Sequence, residues 1–283
     1  MKLPFALAKR FVAAETFDET IPKIKEINEK NIKVTLDLLG ENVREKTTAN
    51  ETVDIYCRLL DNIHEAGLKS TISVKLTMMG LDIDTDYCKE NLFRLLDKTR
   101  QLNSFVRIDM EGSDYTQQTI DIFREAFEIY DKHVGIVLQA YLKRSEKDIR
   151  DLADMGADVR LCKGAYKEPA DIALQSMSEI RDAFKEYVKV LLEKSPFPRI
   201  ATHDDELINW VLNYTAQNGI GKERFEIQML YGLREETMAD FANNGYHARV
   251  YVPYGTMWFP YFKRRLMERK ENIFFVLSTM FKK

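Results

Sequence analysis

Eight times along this chain a short run rich in β-branched residues gives way to a longer charged run. The short runs are "KVTLDL" from Lys33, "TISVKLT" from Thr71, "FVRIDM" from Phe105 and "VGIVLQA" from Val134. They continue with "DVRLCKG" from Asp158, "RIATHD" from Arg199, "FEIQML" from Phe225 and "ARVYVP" from Ala248. In the intervening runs, such as "ETVDIYCRLLDNIHEAG" and "SEIRDAFKEYVKVLLEK", apolar residues recur at helical spacing. Gly67 and Gly156 stand where two of these helices should stop. Eight βα units in 283 residues predict an α/β chain folded as a closed (β/α)8 TIM-type barrel. An open doubly wound sheet is the alternative, but it calls for a glycine-rich turn after the first strand, and "LDLLGENVRE" offers only Gly40. No composition break divides the chain. The expected organisation is one domain over residues 1–283, with a helical arm over 1–30 and a tail over 270–283.

Parallel barrel strands are buried on both faces, so a charge inside one is costly unless it is paired or functional. Seven of the eight runs nevertheless carry polar groups toward their C-terminal ends. Lys75, Asp109 and Gln139 close the second, third and fourth; Arg160 and Lys163 lie in the fifth; Thr202, His203 and Asp204 end the sixth; Gln228 lies in the seventh and Tyr251 late in the eighth. That end is where barrel enzymes carry their chemistry. A structural ion-pair layer can explain any one of these residues, and His203 alone reads as a core histidine. The shared end is what points to a site. Strand alternation is expected to turn Arg107 and Arg249 away from that mouth.

The stretch "PYFKRRLMER" adds to the site. Pro260 suits a first helical turn, and Tyr261, Arg264, Arg265 and Glu268 then share a face at i, i+3, i+4 and i+7. A helix directly after the eighth strand can lay that face over the barrel mouth. Lys75, Arg160, Lys163, Arg264 and Arg265 outnumber Asp109 and Glu268, so the expected ligand carries a carboxylate or phosphate. Paired guanidiniums match such groups through directional charged hydrogen bonds.

Bulk composition narrows the remaining classes. A net charge of -3 supplies no basic field for nucleic acid. Three scattered cysteines suit a reducing compartment, and four scattered histidines show no metal-ligand spacing. "MKLPFALAKRF" is too short in its apolar run for a secretory leader, and no run approaches the ~20 apolar residues of a spanning helix. A cytoplasmic location follows, with peripheral membrane contact left open.

The segments "VKLTMMG", "RIDMEGSDYT", "VRLCKGAY", "ATHD" and "YVPYGTMWFPYFKRRLMER" resemble proline dehydrogenase, in order and with coherent spacing from about Val34 to Asn272. "RLCKGAY" together with "RRLMER" is the specific combination. The resemblance implies an FAD-binding (β/α)8 barrel that oxidises L-proline to Δ1-pyrroline-5-carboxylate, the first step of proline catabolism. Hydride would pass from ring C5 to flavin N5, and electrons onward to a membrane quinone. FAD comes from the resemblance alone, since no dinucleotide glycine fingerprint is present.

The same resemblance implies residue roles. Arg264 and Arg265 resemble the pair that clamps the proline carboxylate, with Lys75 as a further contact. Tyr251, Tyr261, Tyr166 and Leu230 resemble the walls of the substrate pocket, and Glu268 the acid that orients the lysine and arginines. Asp109 and Arg160 resemble catalytic residues, Arg160 lying beside flavin N5. Met110, Gln139, Lys163, Gly164, Ala165, Thr202 and His203 resemble FAD contacts. Glu41 would pair with Arg264 to gate the pocket. The Tyr251–Arg264 spacing resembles the short monofunctional branch, so the product is expected to pass to a separate pyrroline-5-carboxylate dehydrogenase. The apolar tail "NIFFVLSTMFKK" suits either a membrane surface or a helix packed on the barrel. Outside the resemblance, a Schiff-base lysine enzyme acting on a carboxylate substrate through Lys75 or Lys163 is the competing reading.

Overall fold

The computed structural model describes residues 5–268, with Met267 and Glu268 described by backbone alone. Eight parallel strands close a barrel in sequence order, β1 pairing with both β2 and β8. They are β1 Lys33–Leu38, β2 Ser70–Val74, β3 Val106–Ile108, β4 Val134–Gln139, β5 Val159–Cys162, β6 Arg199–Ala201, β7 Glu226–Leu230 and β8 His247–Tyr254. Helices α2 Lys46–Glu65, α3 Thr85–Gln101, α4 Thr116–Tyr130, α5 Ser145–Asp154, α6 Met177–Lys194, α7 Asp205–Gln217 and α8 Glu235–Asn243 fill the crossovers. Helix α1 Phe17–Glu29 precedes the barrel and α9 Trp258–Glu268 follows it.

The alternation within the strands sets two layers. Val34, Leu36, Ile72, Val74, Val106 and Ile108 face outward and are fully buried against the helices. The residues that alternate with such outward positions, among them Thr35, Asp37, Ser73, Arg107, Arg160 and Gln228, fill the barrel interior, which is therefore polar. At its N-terminal end Arg107 reaches Asp158 by passing over Gly135 of β4, where an added Cβ would strike the guanidinium. Arg199 bridges Asp158 at 2.7 Å and Glu226 at 2.9 Å, and Arg249 meets Glu226 at 2.8 Å. Arg107 and Arg249 stay clear of the mouth cavity, as expected, but through depth rather than direction. Both point inward, on the same side as Asp109 and Tyr251 two residues later, and they form an ionic layer below the mouth. Burial disfavours the Glu226 charge, but Arg249 and Arg199 outweigh it and hold the carboxyl well below its usual range.

Several strands end earlier than the apolar runs suggest. Lys75, Asp109, Lys163, Thr202, His203 and Asp204 all lie past the last ladder residue, on the rim. The helical arm is also shorter than expected. Apart from a single 3-10 turn at Phe5–Leu7, residues 8–16 run irregularly until Thr16 caps α1. Ala8, Phe11, Val12 and Ala13 are buried while Lys9 and Glu15 are exposed, so the segment is a one-sided strap rather than a regular helix. It packs on Trp258, Tyr261 and Phe262, which seats α9 over the mouth. No described helix is long and apolar enough to cross a membrane.

Candidate active site

The C-terminal mouth holds a cavity of about 520 Å³. Lys75, Asp109, Met110, Gln139, Arg160, Lys163, Gly164, Ala165, Tyr166, Thr202, His203, Leu230, Tyr251, Tyr261, Arg264 and Arg265 all line it. Of the residues given a site role from the sequence, Glu41 meets Arg264 without lining the cavity, and the side chain of Glu268 lies outside the described residues. The tail over 270–283 lies outside them too.

The floor is a chain of alternating charges. Arg160 Nη1 lies 2.9 Å from Asp109 Oδ1, and the Ser73 hydroxyl donates to the same oxygen at 3.0 Å. The Tyr251 hydroxyl donates to Asp109 Oδ2 at 2.7 Å. Lys75 Nζ donates to Asp37 Oδ1 at 2.7 Å, and both side chains are almost wholly buried. Burial works against the ammonium, but the carboxylates of Asp37 and Asp109 outweigh it and push the Lys75 pKa above its ordinary value. Arg160 also lies 5.4 Å from the centroid of the Tyr251 ring, within reach of a cation–π contact.

One wall comes from β4, β5 and the loop after it. Gly164 holds φ at +126°, and a Cβ there would run into the Tyr141 ring, so this turn requires glycine. Gln139 is buried; its Nε2 donates to the Glu111 carbonyl at 3.0 Å and its Oε1 faces the Ala165 N–H at 3.4 Å. Lys163 and Arg181 each reach Asp204 Oδ2 at 2.9 Å. Burial alone would lift the Asp204 carboxyl, but these two hydrogen bonds bring it down to about 2. The Leu230 N–H donates to His203 Nε2 at 3.0 Å, so a neutral His203 carries its proton on Nδ1. Burial pushes the Cys162 thiol in the same wall up to about 12, which keeps it protonated and unreactive at neutral pH.

Helix α9 forms the roof. Arg264 Nη2 lies 2.6 Å from Glu41 Oε1 of the β1–α2 loop, with both side chains about a quarter exposed. Arg264 is 6.0 Å from the Tyr166 ring centroid and Arg265 5.3 Å from that of Tyr261. A guanidinium has five N–H donors, so Arg264 can hold Glu41 and a ligand carboxylate together. The local charge is more balanced than the sequence suggested, because Asp37, Asp204 and Glu41 each answer a cation.

A sequence model of the proline dehydrogenase family matches residues 20–277. The chain belongs to the proline dehydrogenase family. Proline dehydrogenase 2 of Bacillus subtilis is 39% identical over 276 residues, which is 98% of this chain and 91% of that protein. The Deinococcus radiodurans proline dehydrogenase is 36% identical, over 98% of this chain and 90% of that one. Among solved structures, proline utilization A from Bdellovibrio bacteriovorus, inactivated by N-propargylglycine, shares the fold with a TM-score of 0.87 at 26% identity. The match covers 93% of this chain and 33% of that much longer protein. The chain is thus an oxidoreductase with proline dehydrogenase activity, the first step of proline catabolism.

Within a proline dehydrogenase the competing lysine chemistry has no support. A Schiff base requires a neutral amine, and Lys75 is held as an ammonium by Asp37, while Lys163 is engaged by Asp204. Asp37 of the cavity floor and Glu111, which lies behind the wall, escape notice in the sequence. Asp37 carries the same signal as the others, a charge inside a strand. Glu111 carried none, because it lies past β3 in what reads as a loop.

Proposed function

We propose that this chain oxidises L-proline to Δ1-pyrroline-5-carboxylate with FAD as its cofactor. The observation that carries the reading is the joint placement of Lys75, Arg264 and Arg265 with Tyr166, Tyr251, Tyr261 and Leu230 around one cavity. Three cations suit one carboxylate, and the rings and leucine suit a small apolar ring.

The residues present fit a flavin. The cavity falls in the ~300–1,000 Å³ range of cofactor and ligand sites and offers apolar walls from Met110, Val137 and Met229. Arg160 Nε is buried with no hydrogen-bond partner among the described residues, a donor awaiting an acceptor. Arg160, Gln139, Lys163, Thr202 and His203 would hold the cofactor, with Met110, Gly164 and Ala165 shaping its bed. When bound, FAD supplies at N5 the acceptor for the hydride that leaves ring C5.

The chain's own part is binding, orientation and field. Arg264, Arg265 and Lys75 hold the proline carboxylate, and fixing the ring in place supplies much of the rate. Arg160, with Asp109 as its counterion, sets a positive charge where negative charge develops on reduction. Glu41 aims Arg264, and α9 with its aromatic packing excludes water, which strengthens each of these interactions. Glu268 is proposed to help orient the cations. The electrons pass to a membrane quinone, the tail is a candidate surface contact, and a separate dehydrogenase takes the product.

An anaerobic absorbance spectrum before and after L-proline tests the reading. A flavin spectrum that bleaches supports it; a flavin that does not bleach points to another amine or acid. A colourless protein that cannot be reconstituted with FAD overturns it. Deleting residues 273–283 and measuring partition onto vesicles tests the surface contact, which is wrong if partition is unchanged.

A further inference from the structure

Glu111 follows Met110 of the cavity wall but does not line the cavity itself, and it is only 6% exposed. A buried carboxylate needs several donors to offset the loss of water. Thr77 provides two, its hydroxyl donating to Oε2 at 2.6 Å and its N–H to Oε1 at 3.3 Å. Burial pushes the Glu111 carboxyl up, and the Thr77 bonds pull it back. Each residue therefore depends on the other for its place.

Both ends of Glu111 lead to Arg264. On the side-chain arm, the Thr77 hydroxyl oxygen accepts the Asn42 N–H at 3.2 Å. Asn42 has φ at +54°, a left-handed turn fixed immediately after Glu41. On the main-chain arm, the Glu111 carbonyl accepts Gln139 Nε2, and Gln139 Oε1 faces the Ala165 N–H next to Tyr166. Glu41 and Tyr166 are the groups that meet Arg264 from either side. A partly exposed ion pair is ordinarily weak because two long side chains must be ordered to form it. Anchoring the backbone beside Glu41 removes part of that cost.

We propose that Glu111 is a positioning residue for the proline carboxylate site, acting through Thr77 on Glu41 and through Gln139 on Tyr166 to set the aim of Arg264. It touches no substrate. The proposal rests on the reading that Arg264 binds the proline carboxylate.

The test is a double-mutant cycle on the flavin-loaded enzyme, Thr77→Val against Glu41→Gln, with kcat, KM and flavin content measured for each. Thr77→Val keeps the side-chain shape and removes the link. It is expected to raise KM for proline about fivefold, the size of the lost neutral hydrogen bond from Asn42 N–H, with kcat and flavin content within about twofold. Glu41→Gln should raise KM as well, and the double variant should lie within about twofold of the larger single effect, because an anchor has nothing to position without Glu41. Unchanged KM in Thr77→Val, loss of kcat and flavin together, or full additivity overturns the proposal. Unchanged KM in Glu41→Gln overturns instead the assigned role of the Glu41–Arg264 contact. Glu111→Gln, which preserves size, gives the same cycle if Thr77→Val does not yield folded protein.

Discussion

The Tyr251 hydroxyl donates to Asp109 Oδ2 at 2.7 Å, joining β8 to the end of β3 across the barrel mouth. The bond makes Tyr251 a donor at any working pH, because burial, followed by the carboxylates of Asp109 and Asp37, pushes its pKa well above the ordinary value. A group whose pKa rises stays protonated to higher pH, so Tyr251 should contribute no alkaline limb below about pH 10. Tyr251→Phe is expected to lower kcat/KM for proline about tenfold through the lost hydrogen bond to a charged group. The shape of its pH profile between 6 and 10 should match the wild type. Profiles of the two proteins check this, and an alkaline limb that disappears in the variant would contradict the assignment.

Arg264 meets Glu41 at the cavity roof, on a helix that packs against residues 5–12 and away from the β4–β5 wall proposed to hold the cofactor. Its loss should therefore weaken proline and spare the cofactor. Arg264→Met is expected to raise KM by about tenfold or more, since a charged hydrogen bond contributes ~1.5–3 kcal/mol. Flavin absorbance per mole of purified protein should stay within a fifth of wild type, to order of magnitude of the packing change involved. A KM within about twofold of wild type would remove Arg264 from the carboxylate site.

The barrel was legible because β-branched runs at regular intervals have one economical closure. The site was legible because a charge such as Asp109 or Arg160 in a buried strand has to be answered by something. The same logic applied to Asp37 in "KVTLDL" and to Arg107 and Arg249. It failed there because the direction of a side chain depends on where a strand enters the barrel, and no residue in the sequence marks that register. The segment over residues 8–16 falls within the arm over 1–30 that reads as helical. Buried Ala8, Phe11 and Val12 fall at i, i+3 and i+4 with Lys9 exposed between them, so an irregular strap and a helix look alike in such a run. Glu111 left no trace, since its function depends on Thr77, 34 residues earlier in the chain.

The ionic layer below the site gives a pH-dependent contribution to stability. Glu226 is held ionised by Arg199 and Arg249, with its folded pKa depressed far below the ordinary value. A depressed carboxyl stabilises the fold above its unfolded pKa of about 4.3, and the contribution is lost as pH falls through the folded value. Glu226→Gln leaves two buried guanidiniums short of a counterion, which costs about 3–5 kcal/mol. Denaturant unfolding at pH 7 should show that deficit. Between about pH 4.3 and lower values the gap between wild type and variant should narrow, because only the wild type loses the carboxylate. A gap that widens on acidification would mean that Glu226 is protonated in the native state.

Gly67 and Gly232 both sit in the left-handed region, at φ +61° and +72°, but in different surroundings. Around Gly67 a Cβ would meet open space, whereas at Gly232 it would run into the carbonyl oxygen of Arg10. Alanine at Gly67 should cost only the left-handed strain, about 1–2 kcal/mol. Alanine at Gly232 carries that strain too, and must also push backbone away from backbone, where no flexible side chain can yield. The displaced segment is the one on which Trp258, Tyr261 and Phe262 rest, so the strain reaches α9. Gly232→Ala is expected to be less stable than Gly67→Ala by about 2 kcal/mol or more, within the range for overpacking. It should also raise KM for proline, while Gly67→Ala leaves KM unchanged. Thermal unfolding and steady-state kinetics of the two variants check both expectations. Equal stabilities would show that residues 5–12 are held too loosely to seat the arginine-bearing helix.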